Sequence, residues 1–384
     1  MQLARLQQAL TERAEQQLLR QTVCIEPLAQ GRLLANGKEY LNFSGNDYLG
    51  LAAEPSVLKA SEEGLRRFGL GSTGSPLVTG HHYAHQALTE ALCDWLGFDQ
   101  VLLFSSGFAA NQAMIQTLAD ADDTLVLDKL SHASLIDGVQ QRSGSFKRFL
   151  HNDLASLQSI LEQLPAGKSM VVTEGVFSMD GDSPDLVAMS RLCQQAQAPL
   201  LLDDAHGLGV CGERGQGSWQ QQGLEPKQLH ALMANFGKAL GGSGAFIAGS
   251  NTVIDYLRQF ARHYIYSTAL SPALCWGLLA AVRCCQADDW RREKLQHNIA
   301  SFRQWADEAE LPVMASATAI QPLLIGDTVK TVQLSQQLKS RGIWLTPIRP
   351  PTVPSGKARL RIALSSSHQP EDIRYLVQSL KELY

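Results

Sequence analysis

The sequence predicts an α/β fold: a mostly parallel central sheet covered by helices on both faces, followed by a smaller α+β C-terminal domain. Two observations carry this. Between about residues 45 and 285, short apolar runs such as VLLF (101–104), TLVLD (124–128) and PLLLDD (199–204) alternate with helical stretches. A strand buried on both faces reads as such an unbroken run. Further on, two strand-like runs, AIQPLLIG and ARLRIALS, are interleaved with helices. This divides the chain into an N-terminal helix and hairpin (1–44), a large ligand-binding domain (45–285) and a small C-terminal domain (286–384).

The elements follow in order. The opening MQLARLQQALTERAEQQLLR carries leucines at helical spacing among Gln, Glu and Arg, and reads as a helix rather than a signal peptide. GRLLANGKEYLNF places two apolar runs around Asn36-Gly37, a hairpin signal because both turn residues tolerate positive φ. VLLF precedes the helical FAANQAMIQTLA, and TLVLD precedes HASLIDGVQQ. SMVVTEG (169–175) leads through a loop to DLVAMSRLCQQAQ, and PLLLDD, HALMANFG and GAFIAG complete the large domain. DDWRREKLQHNIASFRQWADEAE reads as a long helix opening the small domain.

The 384 residues are 45% hydrophobic and 18% charged, enough to bury a sizeable core. A formal net charge of −4 argues against nucleic acid as a partner, since a phosphate backbone calls for a basic face. No run approaches the roughly 18 apolar residues of a membrane span. The seven cysteines (24, 93, 193, 211, 275, 284 and 285) show no CxxC or metal-ligand spacing and read as reduced thiols of a cytoplasmic protein.

In a parallel sheet, ligands bind at the carboxyl ends of the strands. Four such ends carry chemistry. Asp203 and Asp204 close PLLLDD; they are either a cap or ion pair in the loop, or one of them pairs with a cationic ring nitrogen. Ser105, Ser106 and Gly107 end one strand and open a helix, whose free N–H groups suit a phosphate. VVTEGVFSMDGD delivers Glu174 and Ser178, or is simply a turn held by its own Asp and Ser side chains. Lys238 in MANFGKALGGSG is a surface lysine in a flexible loop or a Schiff-base amine. Together the four ends supply what pyridoxal phosphate (PLP) needs: N–H donors, a carboxylate and a lysine. Two other signals lead nowhere. GLGSTG (69–74) follows a helical stretch rather than a strand, and Gly237-Lys238 lacks the first glycine and the Ser or Thr of a Walker A loop.

LNFSGNDYLGL, SGFAANQ, DKLSHASLIDG, TEGVFSMDGD, DDAHGLG, FGK and PTVPSGKARLRIALS stand in order over nearly the whole chain. This set resembles the α-oxoamine synthases, fold-type I PLP-dependent transferases that join an amino acid to an acyl thioester and lose CO₂. HNDLASL and IRPPTVPSGKARLR look most like the members serving biotin synthesis. That likeness implies L-alanine and pimeloyl-CoA or pimeloyl-acyl carrier protein as substrates. Glycine-using members, of the 2-amino-3-ketobutyrate ligase or 5-aminolevulinate synthase type, are the alternative.

The resemblance also implies roles. Lys238 would capture the cofactor's aldehyde, Asp203 would hold the pyridinium proton, and His206 would bond the phenolic oxygen. His132 would stack on the ring, with Ser178 and Glu174 nearby. Gly107 and Phe108 would meet the phosphate, together with Asn235, which stands where the family has Thr or Ser and can donate through its amide. Ser267 and Thr268 would reach the phosphate in the neighbouring subunit of a homodimer with shared active sites. Asn46 and Arg361 would bind the amino-acid carboxylate, and Arg20 and Thr352 the acyl substrate. No metal is implied.

Overall fold

The computed structural model describes residues 2–16 and 18–384. The chain forms two compact units, one of Met1–Gly45, Met179–Gly181 and Lys294–Tyr384, the other of Asn46–Ser178 and Asp182–Glu293.

The first unit opens with a helix, Gln2–Glu15, and three strands: β1 (Ile25–Leu28), β2 (Arg32–Ala35) and β3 (Lys38–Asn42). β2 and β3 turn at Asn36 (φ 51°) and Gly37 (φ 73°), the left-handed pair expected of this Asn-Gly.

The second unit is built on a seven-stranded sheet. Its strands are β4 (Gln100–Phe104), β5 (Thr124–Asp128), β6 (Phe146–Phe149), β7 (Ser169–Glu174), β8 (Leu200–Asp203), β9 (Ala231–Asn235) and β10 (Ala245–Gly249), in the order β4-β10-β9-β8-β7-β5-β6. β5 to β9 run parallel, while β10 is antiparallel to both β4 and β9. The sheet is therefore mostly parallel, as the alternating apolar runs suggest, with β10 the one antiparallel strand. β9 and β10 are joined by a loop without a helix, and that loop carries Lys238. β6 is an edge strand of sequence FKRF, half exposed and too polar to stand out in the sequence.

Helix starts here follow side-chain chemistry. Ser106, Asp153 and Asp185 each accept a backbone N–H from the first turn of the helix they precede. The helix Gly107–Leu118 buries Ala110, Ala113, Met114 and Ile115 in one cluster with Leu102, Leu125, Leu127, Met233 and Ile247 from the sheet. That packing holds the helix start at the carboxyl ends of the strands.

Back in the first unit, β11 (Ile320–Gly326), β12 (Ile343–Trp344), β13 (Pro347–Ile348) and β14 (Ala358–Ala363) follow. β12 joins β3 in parallel, and β11, β14 and β13 form an antiparallel sheet. Among the described residues, no helix is long and apolar enough to cross a membrane.

Candidate active site

Strand register builds the site. β7 and β8 pair so that Glu174 lies opposite Asp203, and Asp203 lies opposite Met233 on β9. Two acidic side chains thus end adjacent strands on the same edge of the sheet. They line a cavity of about 190 Å³ together with Gly107, Phe108, Asn111, His132, Ser134, Ala205, His206, Met233, Asn235 and Lys238.

Asp203 and Asp204 divide the roles that their sequence leaves open. Successive side chains of an extended strand point to opposite faces. Asp203 faces the cavity, where its Oδ2 accepts from Asn111 Nδ2 (2.7 Å) and its Oδ1 from the Ala205 N–H (3.0 Å). Asp204 is fully buried and accepts from the Ser218 backbone N–H (2.8 Å) and hydroxyl (2.7 Å). It is a structural acid, and burial pushes its carboxyl up to about 7.

Glu174 is buried at its strand end, and its Oε1 accepts the His132 backbone N–H at 2.6 Å. Burial, and then the charge of Asp203, hold its carboxyl well above the usual carboxylate range. His132 precedes the helix Ala133–Gln140, and its Nδ1 accepts the Ser134 N–H at 3.3 Å. Burial pulls this imidazole below its ordinary value; Asp203 works the other way and Lys238 adds to the fall. His206 Nδ1 lies 2.8 Å from the Tyr48 hydroxyl, which donates to Asn46 Oδ1 at 3.2 Å. Asn235 Oδ1 accepts the Gly237 N–H at 3.1 Å, which leaves its Nδ2 as the donor on the side of Gly107.

Of the residues marked from sequence, eight therefore share one cavity: Gly107, Phe108, His132, Glu174, Asp203, His206, Asn235 and Lys238. Asn46 joins them through Tyr48. Ser178, Ser267 and Thr268 lie in the same unit and do not line it. In the other unit, Arg361 is buried on β14, and Arg20 Nη2 donates to Thr352 Oγ1 at 3.3 Å, both residues exposed. Sequence reasoning missed Asn111, Ser134 and Tyr48. Asn111 leaves a trace, because it is a polar side chain between the apolar positions Ala110 and Ala113 of a buried helical face.

The donor set fits PLP. A carboxylate at a buried strand end suits a cationic ring nitrogen, and a lysine suits an aldehyde. The first N–H groups of the helix Gly107–Leu118 have no intrahelical acceptor and suit a phosphate. A Cβ at Gly107 would stand 3.5 Å from Asn235 Nδ2 and narrow that cradle.

Comparison with known proteins agrees. The model of aminotransferase class I and II matches residues 38–380. The 8-amino-7-oxononanoate synthase of Photobacterium profundum is 46% identical over 383 residues, covering 99% of this chain and 96% of the relative. That of Yersinia pseudotuberculosis serotype O:1b (strain IP 31758) is 50% identical over 353 residues, covering 92% and 91%. Among solved structures, a serine palmitoyltransferase variant from S. paucimobilis with a bound PLP–myriocin aldimine superposes with a TM-score of 0.94 at 28% identity, covering 99% of this chain and 98% of that one. The 8-amino-7-oxononanoate synthase from Francisella tularensis does so at 0.79 and 29%, covering 89% and 97%. With relatives this similar along almost all of its length, the chain belongs to the class I and II aminotransferase family of PLP enzymes and, within it, to the 8-amino-7-oxononanoate synthases.

Proposed function

We propose that this chain condenses L-alanine with a pimeloyl thioester, giving 8-amino-7-oxononanoate, CO₂ and the free thiol carrier, the carrier being coenzyme A or acyl carrier protein. A bond forms between the alanine Cα and the thioester carbonyl carbon. The C–S bond breaks, and then the bond from Cα to the carboxylate; one proton is taken up overall. When bound, PLP supplies the electron sink for both bonds cleaved at Cα.

The observation that carries the reading is that Lys238, Asp203 and His132 line one cavity beside the start of the helix Gly107–Leu118. In this reading Lys238 Nζ holds the cofactor and then moves the Cα proton. Asp203 keeps a proton on the ring nitrogen, and His206, steadied by Tyr48, bonds the phenolic oxygen. His132, neutral through burial, stacks on the ring and donates to the thioester carbonyl as charge develops there. Glu174 fixes the backbone of His132, and Ser178 stays close to the cofactor. Gly107, Phe108 and Asn235 bind the phosphate, and Ser267 and Thr268 complete that site in the partner of a homodimer. Asn46 and Arg361 hold the alanine carboxylate, which selects the bond to be cleaved. Arg20 and Thr352 meet the acyl chain. We place this reaction in the cytoplasm.

The test is product mass spectrometry with CO₂ counted. L-Alanine and pimeloyl-CoA are expected to give 8-amino-7-oxononanoate and one CO₂ per turnover. A preference for glycine, or a product that retains the carboxylate, would overturn the reading.

A further inference from the structure

Asn111 stands in the second turn of the helix Gly107–Leu118 and is 1% exposed. Its amide nitrogen splits its two hydrogens between Asp203 Oδ2 (2.7 Å) and Ser134 Oγ (2.9 Å). Its Oδ1 is buried and meets no donor among the described residues. A buried acceptor without a donor destabilises a fold and calls for an explanation. Turning the amide over would set Oδ1 against the Asp203 carboxylate and against a hydroxyl already committed elsewhere. The charge on Asp203 therefore fixes the orientation, and the orphaned carbonyl is its consequence.

The second hydrogen bond passes the constraint on. Ser134 Oγ accepts from Asn111, so its own hydrogen is available to His132 Nδ1, 2.7 Å away. The Ser134 backbone N–H points at that same nitrogen from 3.3 Å. With two donors directed at it, Nδ1 is an acceptor, and a neutral imidazole then carries its proton on Nε2. At the other end, the Asn111 amide and the Ala205 N–H grip one oxygen each of Asp203 and fix the plane of its carboxylate.

We propose that Asn111 is a positioning residue that ties Asp203 to His132, holding the carboxylate in plane for the ring nitrogen and, through Ser134, keeping the His132 proton on Nε2. The Asp203 half rests on the cofactor placement proposed above; the His132 half does not.

The experiment uses ¹⁵N-histidine-labelled holoenzyme and three variants, Asn111→Leu, Ser134→Ala and Asp203→Ala. In the unsubstituted enzyme, His132 should show an unprotonated Nδ1 and a protonated Nε2. Ser134→Ala should move those shifts toward a tautomer mixture and leave the pH midpoint of the cofactor's visible absorbance in place. Asn111→Leu should do both: mix the tautomers and move that midpoint by about one pH unit, a tenfold change in the equilibrium. Leucine has nearly the shape of asparagine; it removes the orphaned acceptor but also the donor to Asp203 Oδ2, so the tautomer shifts and the absorbance midpoint, which a purely structural role would not move, carry the test and not the thermal midpoint. Unchanged His132 shifts in both Asn111→Leu and Ser134→Ala would overturn the relay. An unmoved absorbance midpoint in Asn111→Leu, while Asp203→Ala moves it, would overturn the Asp203 half. An unmoved midpoint in Asp203→Ala would instead overturn the placement of Asp203 itself, with the His132 shifts still deciding the relay.

Discussion

Asp203 and Asp204 are consecutive residues that face opposite sides of one strand end: the first lines the cavity with Lys238, and the second is sealed against Ser218. The two should respond differently to the same isosteric change. Asp203→Asn keeps the shape but, with Asp203 the proposed partner of the ring nitrogen, could not hold a proton there, so turnover of alanine and pimeloyl-CoA should fall about a hundredfold or more. Asp204→Asn can place its Oδ1 on the Ser218 N–H and its amide on the Ser218 hydroxyl, which accepts as readily as it donates. We predict turnover within a few-fold of the unsubstituted enzyme. A reversed ranking in steady-state assays would reassign the pair.

Asp204 should also set a pH dependence of stability. Burial raises its carboxyl in the folded state to about 7, above its ordinary value of 3.8. The protonated form is thus the one the fold prefers. Its contribution is complete below pH about 4 and is lost as pH rises through about 7, a linkage on the order of 4 kcal/mol. A neutral amide at this position would carry no such loss. Denaturation midpoints of the Asp204→Asn variant should draw ahead of the unsubstituted protein between pH 4 and 8, and a constant gap would refute the buried charge.

His151 predicts a loss of stability at higher pH. Burial works against its charge, but hydrogen bonds to Asp128 Oδ1 (2.9 Å) and Asp182 Oδ2 (2.8 Å) prevail and hold the imidazole up to about 10. A raised value means that the contribution is complete below the ordinary 6.5 and is lost as pH rises through about 10. The bridge pins the neighbourhood of Ser178, because Phe177 packs edge-on against His151 with ring centroids 4.5 Å apart. His151→Gln should lower the thermal midpoint at pH 7 and lose most of that deficit above pH 10. A deficit independent of pH would show that the imidazole acts by packing alone.

Much of this was legible in the sequence because strand ends in a parallel sheet converge, so PLLLDD, VVTEG and MANFGK announce a shared site without any contact being known. What escaped has physical reasons. β6 is a half-exposed edge strand whose FKRF lacks an apolar run. β10 reverses direction, and direction is fixed by the length and path of a connection rather than by composition. Which of two adjacent aspartates faces the ligand depends on register. Asn111 and Ser134 act through hydrogen bonds to residues distant in sequence, and no local pattern records those. The two arginines of RLR on β14 show the same limit: period-two alternation puts them on one face, but it does not reveal that Arg359 pairs with Asp180, a residue distant along the chain.

That ion pair supports a last prediction. Arg359 is 4% exposed, and its Nη1 donates to Asp180 Oδ1 at 2.6 Å and to the Met179 carbonyl at 3.1 Å, while its Nε donates to the Lys357 carbonyl at 3.1 Å. Two carbonyls satisfy hydrogens but do not neutralise charge. Asp180→Ala would therefore leave a buried cation without its counter-ion, and we predict a loss of about 3–5 kcal/mol in unfolding free energy. Arg359→Met removes the charge together with its need for a partner and keeps most of the volume. The double variant Asp180→Ala/Arg359→Met should accordingly be more stable than Asp180→Ala alone, because a paired charge in an apolar setting gains little over an apolar side chain of the same size. Urea unfolding of the two single variants and the double one decides it. If the double variant were the least stable of the three, the cost would lie in lost packing rather than in the stranded charge.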